Sequence, residues 1–327
     1  MKFENFTIEA TASALPRRTV TNDQLAQVME TSDEWIVQRT GIHQRHISTT
    51  ETTTELCTQV ARQLLERAGV TAGDLDYIVV ATMSPDTLTP SVSAGIQGAI
   101  GATRAIAFDL NAACSGFVYG LSVMRRLLCG DRSKRALLIG GEVLSRLIDW
   151  QDRSTAVLFG DGAGGMLLQS ATMAQGAWQG EDLATFGDQG QYLTAGALPQ
   201  HDPLTGDHDT VTPYFKMNGR QIYSFAVRQV PQSIERAVAQ SNYIVNDMNY
   251  FLLHQANRRI IQTTADHMRL NRDLFPVNIG KTGNTAAASE PILLDQLVTA
   301  GTVQRGNLLA LTGFGGGLTV GTVILKY

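Results

Sequence analysis

Short apolar runs recur along the chain and alternate with stretches whose apolar residues return every three or four positions. Residues 76–81 (DYIVVA), 105–110 (AIAFDL), 135–140 (RALLIG), 156–159 and 165–169 are apolar runs of strand length, the pattern of strands buried on both faces. Residues 55–68 (ELCTQVARQLLERA) place Leu56, Val60, Leu64 and Ala68 on one stripe, with Gly69 as a stop, and predict a helix. Phe117, Leu121, Met124, Leu127 and Leu128 share a face in the same way. Strands alternating with helices predict an α/β fold with much parallel sheet.

The pattern also repeats. Residues 134–169 place an apolar strand before a glycine-rich turn and a further apolar strand after it, and residues 305–325 (RGNLLALTGFGGGLTVGTVIL) do the same. Residues 105–128 and 250–268 each read strand, short polar elbow, helix. Two related halves, 1–172 and 173–327, account for both echoes. Residues 171–213 lack periodicity and are rich in Gly, Gln, Asp and Thr; they read as loops and short strands walling a site.

At 327 residues the chain is long enough for two domains and a full core. Its net charge of −4 argues against nucleic acid as the main partner, which needs a basic stripe. Three scattered cysteines, Cys57, Cys114 and Cys129, make no disulfide framework or zinc motif and suit a reducing, cytoplasmic setting. The first sixteen residues lack the apolar core of a signal peptide, and no run approaches membrane-spanning length.

Chemistry concentrates at three elbows. Cys114 lies in NAACSGF between a strand and a helix, where the helix dipole and free N–H groups favour thiolate and small neighbours leave the sulfur accessible. His254, in LLHQAN, and Asn284, in KTGNTAAAS, also lie where a strand or loop opens a helix. Each also has a plain alternative: a buried small hydrophobe, a core histidine, a helix cap. His43, His46, His201, His208 and His267 lack such an elbow, and no third ligand joins His43 and His46, so no metal is expected. The glycine runs 160–165 and 314–317 are each followed by a strand, which excludes a dinucleotide loop; they are either tight turns or places where backbone N–H groups approach a reacting atom.

Together, residues 31–36 (TSDEWI), 39–42 (RTGI), 111–117, 157–164, 254–257, 283–289 and 314–317 resemble the β-ketoacyl-[acyl-carrier-protein] synthase III family of thiolase-like condensing enzymes, in that family's order and over essentially the whole chain. The resemblance implies duplicated βαβαβαββ halves in five α-β-α-β-α layers, a homodimer, and initiation of type II fatty acid synthesis. Cys114 would carry the acyl group from acyl-CoA, a substrate rather than a cofactor. The N–H groups of Cys114 and Gly316 would form the oxyanion hole, and His254 and Asn284 would stabilise the oxygen of malonyl-carrier protein as CO₂ leaves. Thr31, Trp35, Arg39, Arg153, Met217, Gly219, Asn257 and Phe314 would line the CoA path, and Gln255, Arg258 and Arg259 would meet the carrier. Neither metal nor redox cofactor is implied, nor any membrane.

Three positions depart from the family pattern. Thr282 stands where an aromatic residue often precedes the Gly-Asn pair. Thr89 stands where well-known members carry Phe, at the position that closes the neighbouring subunit's acyl pocket, so the pocket has room for a longer or branched primer and acetyl specificity does not follow from the resemblance. Ser224, Asp266 and His267 replace basic residues, which predicts weaker or displaced carrier docking, with Arg220, Arg269 or Arg272 compensating. The rival readings are a condensing enzyme of secondary metabolism with the same triad, a papain-like hydrolase with Cys, His and Asn in this order, and a non-catalytic acyl-binding module.

Overall fold

The computed structural model describes residues 2–200, 202–206 and 211–327, so His201 and His208 lie outside the described residues. Nine strands form its two main sheets. The first contains β1 (Asn5–Ala14), β2 (Tyr77–Ala81), β3 (Ile106–Leu110), β4 (Arg135–Glu142) and β5 (Gly162–Ala171), in the order β1-β5-β4-β2-β3. The second contains β6 (Trp178–Thr185), β7 (Tyr250–Leu253), β8 (Leu308–Gly315) and β9 (Thr319–Lys326), in the order β6-β9-β8-β7. The longer helices are α1 (Asp33–Thr40), α2 (Thr53–Ala68), α3 (Val92–Ile100), α4 (Gly116–Leu128), α5 (Gly219–Ala239), α6 (Arg258–His267) and α7 (Ser289–Thr299).

The two-residue alternation of the strands sets the layers. Val79, Leu138, Met166 and Leu168 face one way from the first sheet, and Ile78, Val80, Leu137, Ile139 and Leu167 face the other. Both sets are buried, so both faces need cover. Leu56, Val60 and Leu64 of α2 and Ile96 of α3 cover the outer face. Phe117, Leu121 and Met124 of α4, with Leu293 and Leu294 of α7, fill the middle, where they also meet Leu252, Leu309, Leu311 and Val323 of the second sheet. Phe225, Val230 and Ile234 of α5 and Ile260 of α6 cover the far side, against Phe251, Leu253 and Ile324. The order is α-β-α-β-α, the five-layered thiolase-like arrangement.

The sheets follow one plan. In the first, β4, β2 and β3 run parallel, while β5 is antiparallel to β4 and β1. In the second, β7 and β8 run parallel, and β9 is antiparallel to β8 and β6. The plan pairs β1 with β6, β5 with β9, β4 with β8 and β2 with β7; β3 has no counterpart among the described residues. Residues 134–169 and 305–325 therefore occupy matching places. Residues 105–128 and 250–268 do not, because β7 stands where β2 stands and not where β3 does; their likeness is local.

Residues 156–159 do not form the strand that their apolar run suggests. Asp152 Oδ1 accepts the Ser154 N–H at 2.9 Å and caps a helical turn, Arg153–Ala156, and of this run only Phe159 makes a bridge, with Asn284. Strand β1 (NFTIEATASA) is too rich in Thr, Ser and Ala to announce itself, and β6 is a full sheet strand inside the stretch read as loops. Helix α2 is legible to its ends: Thr52 and Glu55 form a reciprocal capping box, and Gly69 closes it at φ 63.

Candidate active site

Strand β3 ends at Leu110, and the chain passes through a 3₁₀ turn, Ala113–Ser115, directly into α4. Asn111 Oδ1 accepts the Ala113 N–H at 3.0 Å, and Ala113 takes φ 46, a region that L-residues rarely occupy. This turn sets Cys114 at the head of α4, only 5% exposed. On its other side a Cβ on Gly315 would lie 2.9 Å from the sulfur, so glycine is required there.

Burial pushes the Cys114 thiol up to about 12, and the nearby carboxyls of Glu142 and Glu290 act in the same direction once ionised. The N–H groups of Gly316 and of Cys114 itself oppose this by hydrogen bonding to the sulfur. Desolvation thus works against the pull toward thiolate that was expected of the helix start.

His254 follows β7. Its N–H donates to Thr312 O at 2.8 Å, and its ring meets Phe314 edge-on at 5.2 Å. Nδ1 is buried with no hydrogen-bond partner among the described residues. Burial holds the imidazole down at about 3, so it is neutral near pH 7. Asn284 is fixed by backbone on both sides: its N–H donates to Leu158 O, and its C=O accepts from Gly160, each at 2.9 Å. The Ala286 N–H donates to Asn284 Oδ1 at 2.9 Å, which leaves the amide's NH₂ edge for the cavity.

One cavity of about 1610 Å³ is lined by Cys114, His254, Asn284, Phe314 and Gly316, and also by Trp35, Arg39, Met217, Gly219, Asn257 and Arg259. The Arg39 guanidinium lies 4.3 Å from the Trp35 ring centre, and that of Arg153, outside the lining, lies 5.3 Å from it. Thr31 is also outside the lining, and its Oγ1 is buried without a partner among the described residues. Thr87 and Leu88 face this cavity, but Thr89 does not. Leu193, Thr194, Ala195 and Gly196 do, so part of the 171–213 stretch walls the site.

Gln255 is a correction. It is buried, with Nε2 donating to Leu253 O and Pro276 O and Oε1 accepting from the Asn278 and Ile279 N–H groups; it braces the chain and reaches no carrier. Arg258 packs its stem on Gly41, half-buried, while Arg259 is exposed at the cavity. Arg272 is paired with Asp266, to which its Nε and Nη2 donate at 2.8 and 2.6 Å, so its charge is largely offset where a basic patch was expected. Sequence reading missed Ala286, whose N–H orients the Asn284 amide; no side-chain signal marks such a role. Among the described residues, no group of three or more His, Cys, Asp or Glu could hold a metal ion, and no helix is long and apolar enough to cross a membrane.

A fold of this plan, with cysteine, histidine and asparagine in one cavity, defines a thiolase-like condensing enzyme. The family model described as 3-oxoacyl-[acyl-carrier-protein (ACP)] synthase III matches residues 108–187, and its C-terminal companion matches residues 238–327. The chain is 62% identical over 327 residues, all of both chains, to the beta-ketoacyl-[acyl-carrier-protein] synthase III of Levilactobacillus brevis. Among solved structures it is similar to the 3-oxoacyl-[acyl-carrier-protein] synthase III of Aquifex aeolicus (TM-score 0.89, 36% identity, 98% of this chain and 100% of that one). The Pseudomonas aeruginosa enzyme is equally close (TM-score 0.90, 34% identity, 99% and 98%). The chain belongs to the beta-ketoacyl-[acyl-carrier-protein] synthase III family.

Proposed function

We propose that the chain condenses an acyl-CoA primer with malonyl-[acyl-carrier-protein], with loss of CO₂, to give a 3-oxoacyl-[acyl-carrier-protein] and so start type II fatty acid synthesis. The single observation that carries the residue roles is the shared cavity, which sets Cys114, His254 and Asn284 against the same space as Trp35 and Arg39.

In the first half-reaction the Cys114 sulfur bonds to the acyl carbonyl carbon. The carbon–sulfur bond to CoA breaks, and the thiol proton passes to the departing CoA sulfur. The N–H groups of Gly316 and Cys114, which act on the sulfur, would donate to the carbonyl oxygen as it becomes negative. In the second half-reaction the malonyl carboxylate leaves as CO₂, and negative charge collects on the thioester oxygen. A neutral His254 donates one ring N–H to it, and Asn284 donates from its NH₂ edge. Neither donor has to lose a proton, so decarboxylation yields a carbon nucleophile without a strong base. That carbon attacks the acyl-Cys114 carbonyl, the carbon–sulfur bond breaks, and the released Cys114 thiolate takes one proton from solvent. No step in this sequence calls for a metal or a redox group.

CoA would enter past Trp35, with Arg39 and Arg153 placed for stacking and phosphate contact. Arg259 is an exposed cation at the cavity, beside Arg258, and would suit an acidic carrier. The enzyme would act as a cytoplasmic homodimer, with Thr89, turned from its own cavity, serving the partner's acyl pocket.

Intact-mass spectrometry after mixing with a panel of acyl-CoAs tests this. One acyl group should appear at Cys114 and vanish in Cys114→Ala, while His254→Ala should acylate yet not condense. Acylation elsewhere, or a His254→Ala variant that loses only acylation, would sink the assignment.

A further inference from the structure

The most deeply buried cation of the molecule lies outside the reaction scheme. Arg45 is fully buried, on the short strand Gln44–His46 that pairs with Thr19–Thr21. It makes no ion pair of contact length among the described residues. Its Nη1 donates to Val20 O at 3.2 Å and its Nη2 to Val157 O at 2.9 Å, while Nε finds no partner among the described residues. Desolvation lowers this guanidinium to about 10, and only the more distant charge of Asp33 works against it. A buried charge without a contacting acid is costly to keep, so what it holds is informative.

Arg45 holds the backbone that fixes Asn284. Val157 begins the segment Val157-Leu158-Phe159-Gly160, and Asn284 bonds Leu158 O with its N–H and the Gly160 N–H with its C=O, beside the Phe159 bridge. The stem of Arg45 lies under the same crossing. A Cβ built on Gly160 or Gly283 would stand 3.2 or 3.1 Å from the Arg45 Cβ, and Gly283 takes φ +66. The other carbonyl that it grips, Val20, belongs to the cluster of Ile36, Ile42, Val157 and Ile279 that Trp35 packs against.

We propose that Arg45 is a positioning residue for Asn284: its guanidinium staples the Trp35-bearing lobe to the Val157–Gly160 segment and so sets the Asn284 amide for the condensation step. The inference rests on the reading of Asn284 given above. It follows that loss of the staple slows condensation and spares acyl transfer, because the oxyanion N–H groups of Cys114 and Gly316 hang on other elements.

Arg45→Met, Arg45→Lys, Asn284→Ala and the double variant Arg45→Met/Asn284→Ala test this. Acyl-Cys114 formation is followed by intact mass with an acyl-CoA that loads the wild type, and condensation by product formation from malonyl-carrier protein. Arg45→Met should load at the wild-type rate and condense about 100-fold more slowly, the loss expected from a misplacement of about 1 Å. Arg45→Lys, which can grip only one of the two carbonyls, should fall between. The double variant should condense no more slowly than Asn284→Ala, since the two act as a unit. Equal loss of both half-reactions, losses that multiply in the double variant, or insolubility of both single Arg45 variants would reduce Arg45 to a scaffold residue and overturn the proposal. If Asn284→Ala itself fails to load, the Asn284 reading falls instead, and Arg45→Met alone decides on Arg45: normal loading with slowed condensation keeps its positioning role, and slowed loading overturns it.

Discussion

Two buried carboxyls bear on the nucleophile. Glu142 is tied to the turn after β2 by Ser84 Oγ, Thr82 Oγ1 and the Met83 and Ser84 N–H groups, and burial pushes it up to about 7. Glu290, at the head of α7, has no hydrogen-bond partner on either oxygen among the described residues, and burial raises it well above the carboxylate range. A raised acid stabilises the fold while it stays protonated: its contribution is full below the ordinary carboxylate pKa and is lost as pH rises through the raised one. Glu290→Gln carries no charge at any pH. Its stability relative to wild type should be lowest below the ordinary carboxylate pKa and should rise by about 1.4 kcal/mol per pH unit above it, until the raised pKa of Glu290 is passed. Urea melts at several pH values check this, and a gap that stays constant with pH would refute it. The three elbow residues were legible because each sits where an apolar run gives way to small or polar residues. The burial of Cys114 was not, because a helix start is visible in a sequence and the packing that closes over it is not.

Among the elements, the loop that carries Asn284 is seated on β4. A Cβ on Gly140 would meet Ala287 O at 2.1 Å, so this contact admits no side chain. Gly140→Ala should cost about 1–3 kcal/mol, as overpacking does, and should lower condensation more than acyl loading. Thermal melts and the two half-reaction assays check both; an unperturbed melt would show that the loop moves away freely. Elements read well where sequence and burial agree, as in α2, with its stripe and both caps. They read poorly where tertiary contact overrides local pattern. Residues 156–159 are apolar because they are buried around Asn284, not because they form a ladder, and β1 is a strand because β5 pairs with it. Gln255 looked like a surface residue beside two arginines, yet its amide is consumed by backbone on all sides.

For the whole molecule, β3 pairs only with β2, and Ile106 at its start is 60% exposed. An exposed edge strand with an apolar side chain calls for a partner. A second copy should pair along it, so that sedimentation velocity gives twice the mass of one chain. Ala107→Pro with Ile106→Lys should yield monomers; dimers that persist would place the interface elsewhere. The duplicated plan was legible from the matched strand–glycine–strand runs, but its asymmetry was not, since a missing strand leaves no mark in the residues that remain. At the matching end of the second sheet, beside β7, the Gln255 amide clasps residues 276–279 in place of a fifth strand. Pairing of two copies along β3 would use up its own contact surface and halt at a pair, which would spare the molecule the runaway stacking that two open ends invite.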